Sequence, residues 1–278
     1  MAAGHIHIHY SIQILCSMIT IVLNPLILRS CFSRSESDSN LTMLFVHMVV
    51  QTVFAFAVMI RGGYVLLARF GIYHNSTVLF WTSMLKAATF LAIALSSLFL
   101  SFDRFIAISH PLSYYKRHRT RLVSVSTTST LLLVVFILAL CAYHKKPANP
   151  NAVQTIDQIA KFIPHLIVAI DVVILIFFSF VSVLFLKRLK NLTRNKSMIM
   201  VRKQTIKANL IVAYETILAS LFWAIPSASI FTMEVFFKID VLHTIGPFAM
   251  TSTVGYVALC SGLYTRMMLG KKPLQVLT

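Results

Sequence analysis

Long apolar runs alternate with short polar intervals along the whole chain. Seven runs stand out, at roughly 10–30, 41–60, 78–102, 122–143, 163–186, 208–233 and 242–265. Each is close to the ~20 helical residues that cross a hydrocarbon layer. Inside lipid a backbone N–H or C=O finds no water, so each run must satisfy its own hydrogen bonds as a helix. The strict in-out alternation of a membrane β-barrel is absent. No internal repeat of the kind that marks many transporters is visible. The expected fold is all-α, a single seven-transmembrane helix bundle over residues 1–278 with its amino terminus outside and its carboxyl terminus inside.

The polar intervals set that direction. Arg29 and Arg34 follow the first run, Arg104, Lys116, Arg117, Arg119 and Arg121 the third, a basic stretch from Lys187 to Lys207 the fifth, and Arg266, Lys271 and Lys272 the last. The opposite side carries fewer: Arg61, Arg69, Lys86, Lys145, Lys146, Lys161 and Lys238. Lys and Arg accumulate on the cytoplasmic side, so the first set faces inward. The sequon Asn75-Ser76-Thr77 then falls in an outer loop and is a glycosylation candidate, whereas the sequons at Asn40 and Asn191 face inward and stay unmodified. In KRLKNLTRNKSMIMVRKQTIK, apolar residues interleave with basic ones. Helices continuing past the membrane around a basic turn fit this pattern, either as a topology anchor or as a docking surface for an intracellular partner.

Composition agrees with lipid as the main solvent. The 278 residues are 58% hydrophobic and 12% charged, with mean hydropathy +0.80, too apolar to cover a soluble surface. A net charge of +17 lies between apolar spans, not along one folded face. It suits an anionic inner leaflet and gives no reason to expect nucleic acid. The four cysteines, Cys16, Cys31, Cys141 and Cys260, have no metal-ligand spacing. A Cys16–Cys141 bridge near the outer face and buried free thiols are the two alternatives. His5, His7 and His9 alternate in the outer tail, where solvation is commoner than metal binding. No metal or cofactor is expected. Met1–Tyr10 holds no Lys or Arg, so the first helix is expected to act as a signal anchor. No HExxH, GxSxG or convergent His/Asp set suggests an enzyme.

The most specific motif is the stretch from Asp103 to Tyr114, DRFIAISHPLSY, where the third span meets the cytoplasm. It resembles the DRY-x-A-I-x-x-P-L-x-Y stretch of rhodopsin-like G-protein-coupled receptors. Asp103 matches the acid, Arg104 the arginine, Phe105 stands in for tyrosine, and Pro111, Leu112 and Tyr114 match the loop that follows. An arginine at the end of a helix bundle must pair or reach water, and Asp103 is adjacent. The resemblance implies that activation frees Arg104 toward a heterotrimeric G protein.

Other matches are partial. Asn24 resembles the family's helix-1 asparagine. Trp223 and Pro226 resemble its kink pair with one residue too many between them. Tyr264 resembles the NPxxY tyrosine, with Cys260 and Ser261 replacing Asn and Pro. Span 2 has His47 and Gln51 but no aspartate, so no sodium site is expected, and no cysteine caps the outer end of span 3. These departures, the short tails and the SHPLSYYKRHR loop resemble the Srbc class of nematode serpentine chemoreceptors across essentially the whole chain. That resemblance implies a small-molecule environmental or pheromone ligand and a plasma-membrane location, sensory cilia included. A transporter or channel is the alternative and needs midplane polar residues along several helices.

Ionisable residues inside the membrane default to function. Lys86 lies about five helical turns before Asp103, in the outer half of span 3. A lysine there favours an anionic or carbonyl-bearing ligand. Asp171, in the outer half of span 5, is a ligand contact or Lys86's partner in an empty pocket. Glu215, by depth alone, is expected to pair with Arg104 across the bundle.

Overall fold

The computed structural model describes residues 2–33, 41–72, 75–114, 118–146, 160, 162–194, 203–237 and 248–269. These residues form seven long helices and no strand. They are α1 (Ala2–Ser33), α2 (Thr42–Arg69), α3 (Ser76–Ser109), α4 (Arg119–Tyr143), α5 (Phe162–Arg194), α6 (Lys203–Ala219, a π turn Ser220–Ala224, then Ile225–Phe236) and α7 (Phe248–Tyr264, ending in a π turn Thr265–Leu269). Six have the length and apolar composition to cross a membrane. The first six residues of the predicted last span, 242–247, lie outside the described residues.

Several helices outrun the apolar runs that predicted them. α2 continues to Arg69, α3 to Ser109 and α5 to Arg194, because the i→i−4 ladder continues beyond the hydrocarbon once started. Their ends have local causes. α2 stops at Gly71, whose φ of +71° suits the left-handed residue after a helix, with Ile72 N–H donating to Leu67 O at 3.1 Å. α3 starts at Asn75, whose side chain accepts from Thr77 N at 2.9 Å and Val78 N at 3.3 Å.

α3 is the central helix, packed on α2, α4, α5 and α6; α1 lies between α2 and α7. α4 is peripheral and α3 the most enclosed span. Val135, Phe136, Ile176, Phe177 and Phe180 point outward, a face that lipid would cover. Polar ties fix the packing. Asn24, fully buried, donates to Met48 O and Thr52 Oγ1, both at 3.3 Å, joining α1 to α2. Arg119 donates to Thr42 Oγ1 at 2.6 Å, so the starts of α4 and α2 lie at the same end of the bundle. That end also carries the carboxyl ends of α1, α3, α5 and α7, and with them the described basic residues Arg119, Arg121, Lys187, Arg188, Lys190, Arg194 and Arg266.

Candidate functional site

At the basic end, the chain leaves α3 through His110 and re-enters helix for a single turn, Pro111–Ser113. Proline suits a first helical position and pushes the residue before it toward extended backbone; His110 has φ −138° and ψ 63°. The turn folds Tyr114 back over α3. Tyr114, Asp103 and Arg104 are all almost completely buried. Arg104 donates from Nε and Nη2 to Asp103 Oδ2, the first at 2.9 Å. Tyr114 OH donates to Asp103 Oδ1 at 2.6 Å and accepts from Arg104 Nη2 at 3.1 Å. The guanidinium also lies 5.9 Å from the Tyr114 ring centroid. Both carboxylate oxygens are therefore occupied, one by the arginine and one by the phenol. Burial pushes the Tyr114 phenol above its usual range, with Asp103 adding to the effect and Arg104 opposing it. The phenol stays protonated and donating at neutral pH.

A second buried cluster sits deeper, where α2, α3, α6 and α7 meet. Its hub is Glu215 of α6. His47 Nε2 lies 2.9 Å from Glu215 Oε1, Tyr256 OH donates to Oε1 at 3.3 Å and Tyr264 OH to Oε2 at 2.8 Å. Ser97 Oγ lies 3.4 Å from Tyr256 OH. Ser96 Oγ donates to Ile93 O at 3.0 Å, which leaves it to accept from His47 Nδ1 at 2.8 Å. Nδ1 therefore carries a hydrogen, and the Nε2–Glu215 contact needs one more proton, on the imidazole or on the carboxyl. Gln51, one turn along α2, reaches His47 Nε2 at 2.8 Å. His47, Glu215, Tyr256 and Tyr264 are nearly inaccessible to solvent. In so dry a place these bonds are mutually dependent.

Above this hub α6 changes pitch. The π turn Ser220–Ala224 holds one residue more than an α turn, and Pro226 follows at the start of the next segment. Trp223, within the turn, is 1% exposed and packs 5.1 Å from the Phe178 ring of α5. Asp171, also on α5, faces Trp223 and Ser227. Neither Asp171 Oδ1 nor Trp223 Nε1 completes a hydrogen bond.

The profile of the serpentine type 7TM GPCR chemoreceptor Srbc family matches residues 3–272. The chain belongs to that family. No curated protein sequence matches it. The Srbc assignment makes the chain a multi-pass membrane protein of a chemoreceptor family, which is not an enzyme family.

Within this Srbc fold the predicted site residues fall into separate groups. Asp103, Arg104 and Tyr114 come together as described. Phe105 packs partly buried against the core, Pro111 begins the turn, and for Leu112 the backbone alone is described. Glu215 does not meet Arg104; it bonds His47, Tyr256 and Tyr264 instead. The two residues share an end of the bundle, but Arg104 turns to Asp103 and Tyr114. Lys86 and Asp171 form no ion pair among the described residues. Lys86 interacts electrostatically with Arg61 of α2, whereas Asp171 turns to α6. The four cysteines are free, so no Cys16–Cys141 bridge forms. Asn75 is exposed at the start of α3. His9 Nδ1 lies 3.1 Å from Thr251 Oγ1, and Gln13 donates to the same hydroxyl at 2.9 Å; the His5 side chain lies outside the described residues. His47, Gln51, Ser96, Tyr256 and Arg61 join these groups although no motif marks them. Their signal was available: His47 and Gln51 are polar, four apart in an otherwise apolar span, and so share one helix face.

Proposed function

We propose that the chain is a chemosensory receptor that binds a small molecule in the outer half of the bundle and signals to a heterotrimeric G protein at the basic, cytoplasmic end. In this reading the amino terminus is outside, Asn75 is available for glycosylation, and the plasma membrane, sensory cilia included, is the site of action. The observation that carries it is the closed Asp103–Arg104–Tyr114 cluster. A buried arginine beside the longest basic segments, held by an acid of its own helix and a tyrosine of the next turn, is an element with two arrangements. Closed, the guanidinium is sequestered. Opened, it is presented to a partner, at the cost of bonds that the partner must replace. The Glu215 hub links the inner part of α6 to α2 and α7, so movement of α6 has to break or carry it. Trp223 and Asp171 stand between that hub and the outer half, in position to couple ligand to α6.

The test uses ligand-independent signalling as well as ligand response. Wild type, Arg104→Ala and Asp103→Asn are expressed with a promiscuous G-protein reporter at matched surface levels. Asp103→Asn weakens the hold on Arg104 and raises basal signalling, while Arg104→Ala abolishes both basal and stimulated signal. Indistinguishable signalling by all three, at equal surface expression, refutes the coupling role.

A further inference from the structure

Arg61 lies on α2 about 28 Å along the axis from Thr42, at the end of the bundle opposite the Asp103 cluster. It is 8% exposed, and its Nε and Nη1 are buried without a hydrogen-bond partner. A guanidinium that merely snorkelled would turn those atoms to water; this one holds them inside. Its electrostatic neighbours are Tyr10 of α1, Tyr64 of its own helix and Lys86 of α3. The Tyr64 hydroxyl is already used, donating to Asn75 O at 2.7 Å. The close approach of α1 has a local cause: at Gly62, a Cβ would stand 3.1 Å from the Ile14 side chain and 3.8 Å from Tyr10. The missing side chain brings α1 and Tyr10 against the arginine.

Lys86, half-buried on the adjacent α3, lies within electrostatic reach of this buried guanidinium, and each raises the cost of the other's charge. No acid among the described residues answers them. Asp103 is taken by Arg104, Glu215 by His47, Tyr256 and Tyr264, and Asp171 faces α6. An arrangement that costs stability when empty is satisfied by an occupant that brings negative charge and acceptor atoms. A planar guanidinium presents parallel N–H donors that match a carboxylate or other oxyanion, and an ammonium nearby adds a point charge.

We infer that Arg61 and Lys86 together bind the acidic group of an organic anion, its apolar remainder lying among the helices of the outer half. This rests on the receptor reading only in taking that anion as the signalling ligand; the binding site itself does not depend on coupling. A free organic acid and an acidic lipid headgroup share this chemistry, and the test separates them.

The full-length chain is placed in phosphatidylcholine nanodiscs and its thermal unfolding is followed with octanoate, with octanol as the uncharged control, and in parallel discs containing phosphatidylserine. Octanoate raises the unfolding temperature of wild type and octanol does not. Arg61→Gln and Lys86→Gln each raise the octanoate concentration needed by about ten- to a hundredfold, the scale of losing a charge-assisted bond. Without anion, Lys86→Gln unfolds no earlier than wild type, because a repulsion has been removed. A shift in phosphatidylserine discs alone, lost in both variants, supports the same pair with lipid as the source. Equal shifts from octanoate and octanol, an octanoate shift that survives in both variants, or no shift with either anion overturns the inference. Arg104→Ala keeps the octanoate shift, so loss of G-protein signalling and loss of anion binding are read separately.

Discussion

Replacing Glu215 with leucine removes one carboxylate and leaves three side chains without their acceptor. His47 Nε2 at 2.9 Å, Tyr264 OH at 2.8 Å and Tyr256 OH at 3.3 Å all converge on it, and all are buried. Stranding a buried donor costs about 1–3 kcal/mol, and with the shared proton on the imidazole, breaking the buried ion pair from one side costs about 3–5 kcal/mol. These figures overlap, since the same histidine appears in both. The bonds to the tyrosines are partly recovered by small rotations toward Ser97 and the backbone, so about 3–5 kcal/mol is the expected total for Glu215→Leu. At about 2–4 °C per kcal/mol for a chain of this size, the unfolding midpoint falls by about 6–20 °C. The double replacement His47→Leu with Glu215→Leu removes both ends of the pair, and its cost is smaller than the sum of the two single costs by about 1–3 kcal/mol. A thiol-reactive dye gives the assay: Cys141 and Cys260 are buried and free, and they react when the bundle opens. A Glu215→Leu midpoint within a degree or two of wild type, or a double variant that shows the full sum, refutes the argument that the hub holds α6 to α2 and α7.

Other expectations follow from single contacts. Tyr114→Phe loses the bond to Asp103 and destabilises by about 1–2 kcal/mol, read by the same thermal assay. Because burial raises the folded-state pKa of Tyr114 above its unfolded value near 10, its contribution is fully present below about pH 10 and is lost as pH rises further. The difference between Tyr114→Phe and wild type is therefore flat from about pH 6 to pH 9. Gly62→Val puts a branched side chain where a Cβ already meets Ile14 at 3.1 Å, and is expected to lower the midpoint through separation of α1 from α2. Deleting Ala224 gives α6 the spacing of an uninterrupted α helix around Trp223 and Pro226. The variant is expected to fold, with Trp223 emission still that of a buried indole; a red shift toward solvent-exposed emission counts against the π turn as a one-residue insertion.

The helices were readable in the sequence because the cost of an unpaired peptide group in hydrocarbon leaves one solution for each apolar run. Tyr114 was readable as a motif position, and its closure onto Asp103 follows from the Pro111 turn. What the sequence did not expose was rotation about the helix axes. Glu215 and Arg104 share an end of the bundle, and depth alone suggested a pair; the phase of α6 sends the carboxylate to His47. Depth likewise offered Asp171 as Lys86's partner or as a ligand contact, and the phase of α5 turns it toward Trp223 and Ser227. A hydropathy pattern carries depth accurately and azimuth poorly when nearly every face of a span is apolar. The extra residue between Trp223 and Pro226 was visible as a misfit, and the π turn that absorbs it was the unread half of the same signal.

That turn also stores angular displacement. An α helix advances about 100° per residue, so a one-residue insertion separates two stretches of α6 whose faces are out of step by that amount. If the insertion migrates by a turn along the axis, the residues it passes swivel by roughly a quarter of a revolution while both ends of the helix and the loops beyond them stay where they are. A bundle whose sixth helix holds such a dislocation can re-aim Trp223 without sliding or tilting the helix as a whole.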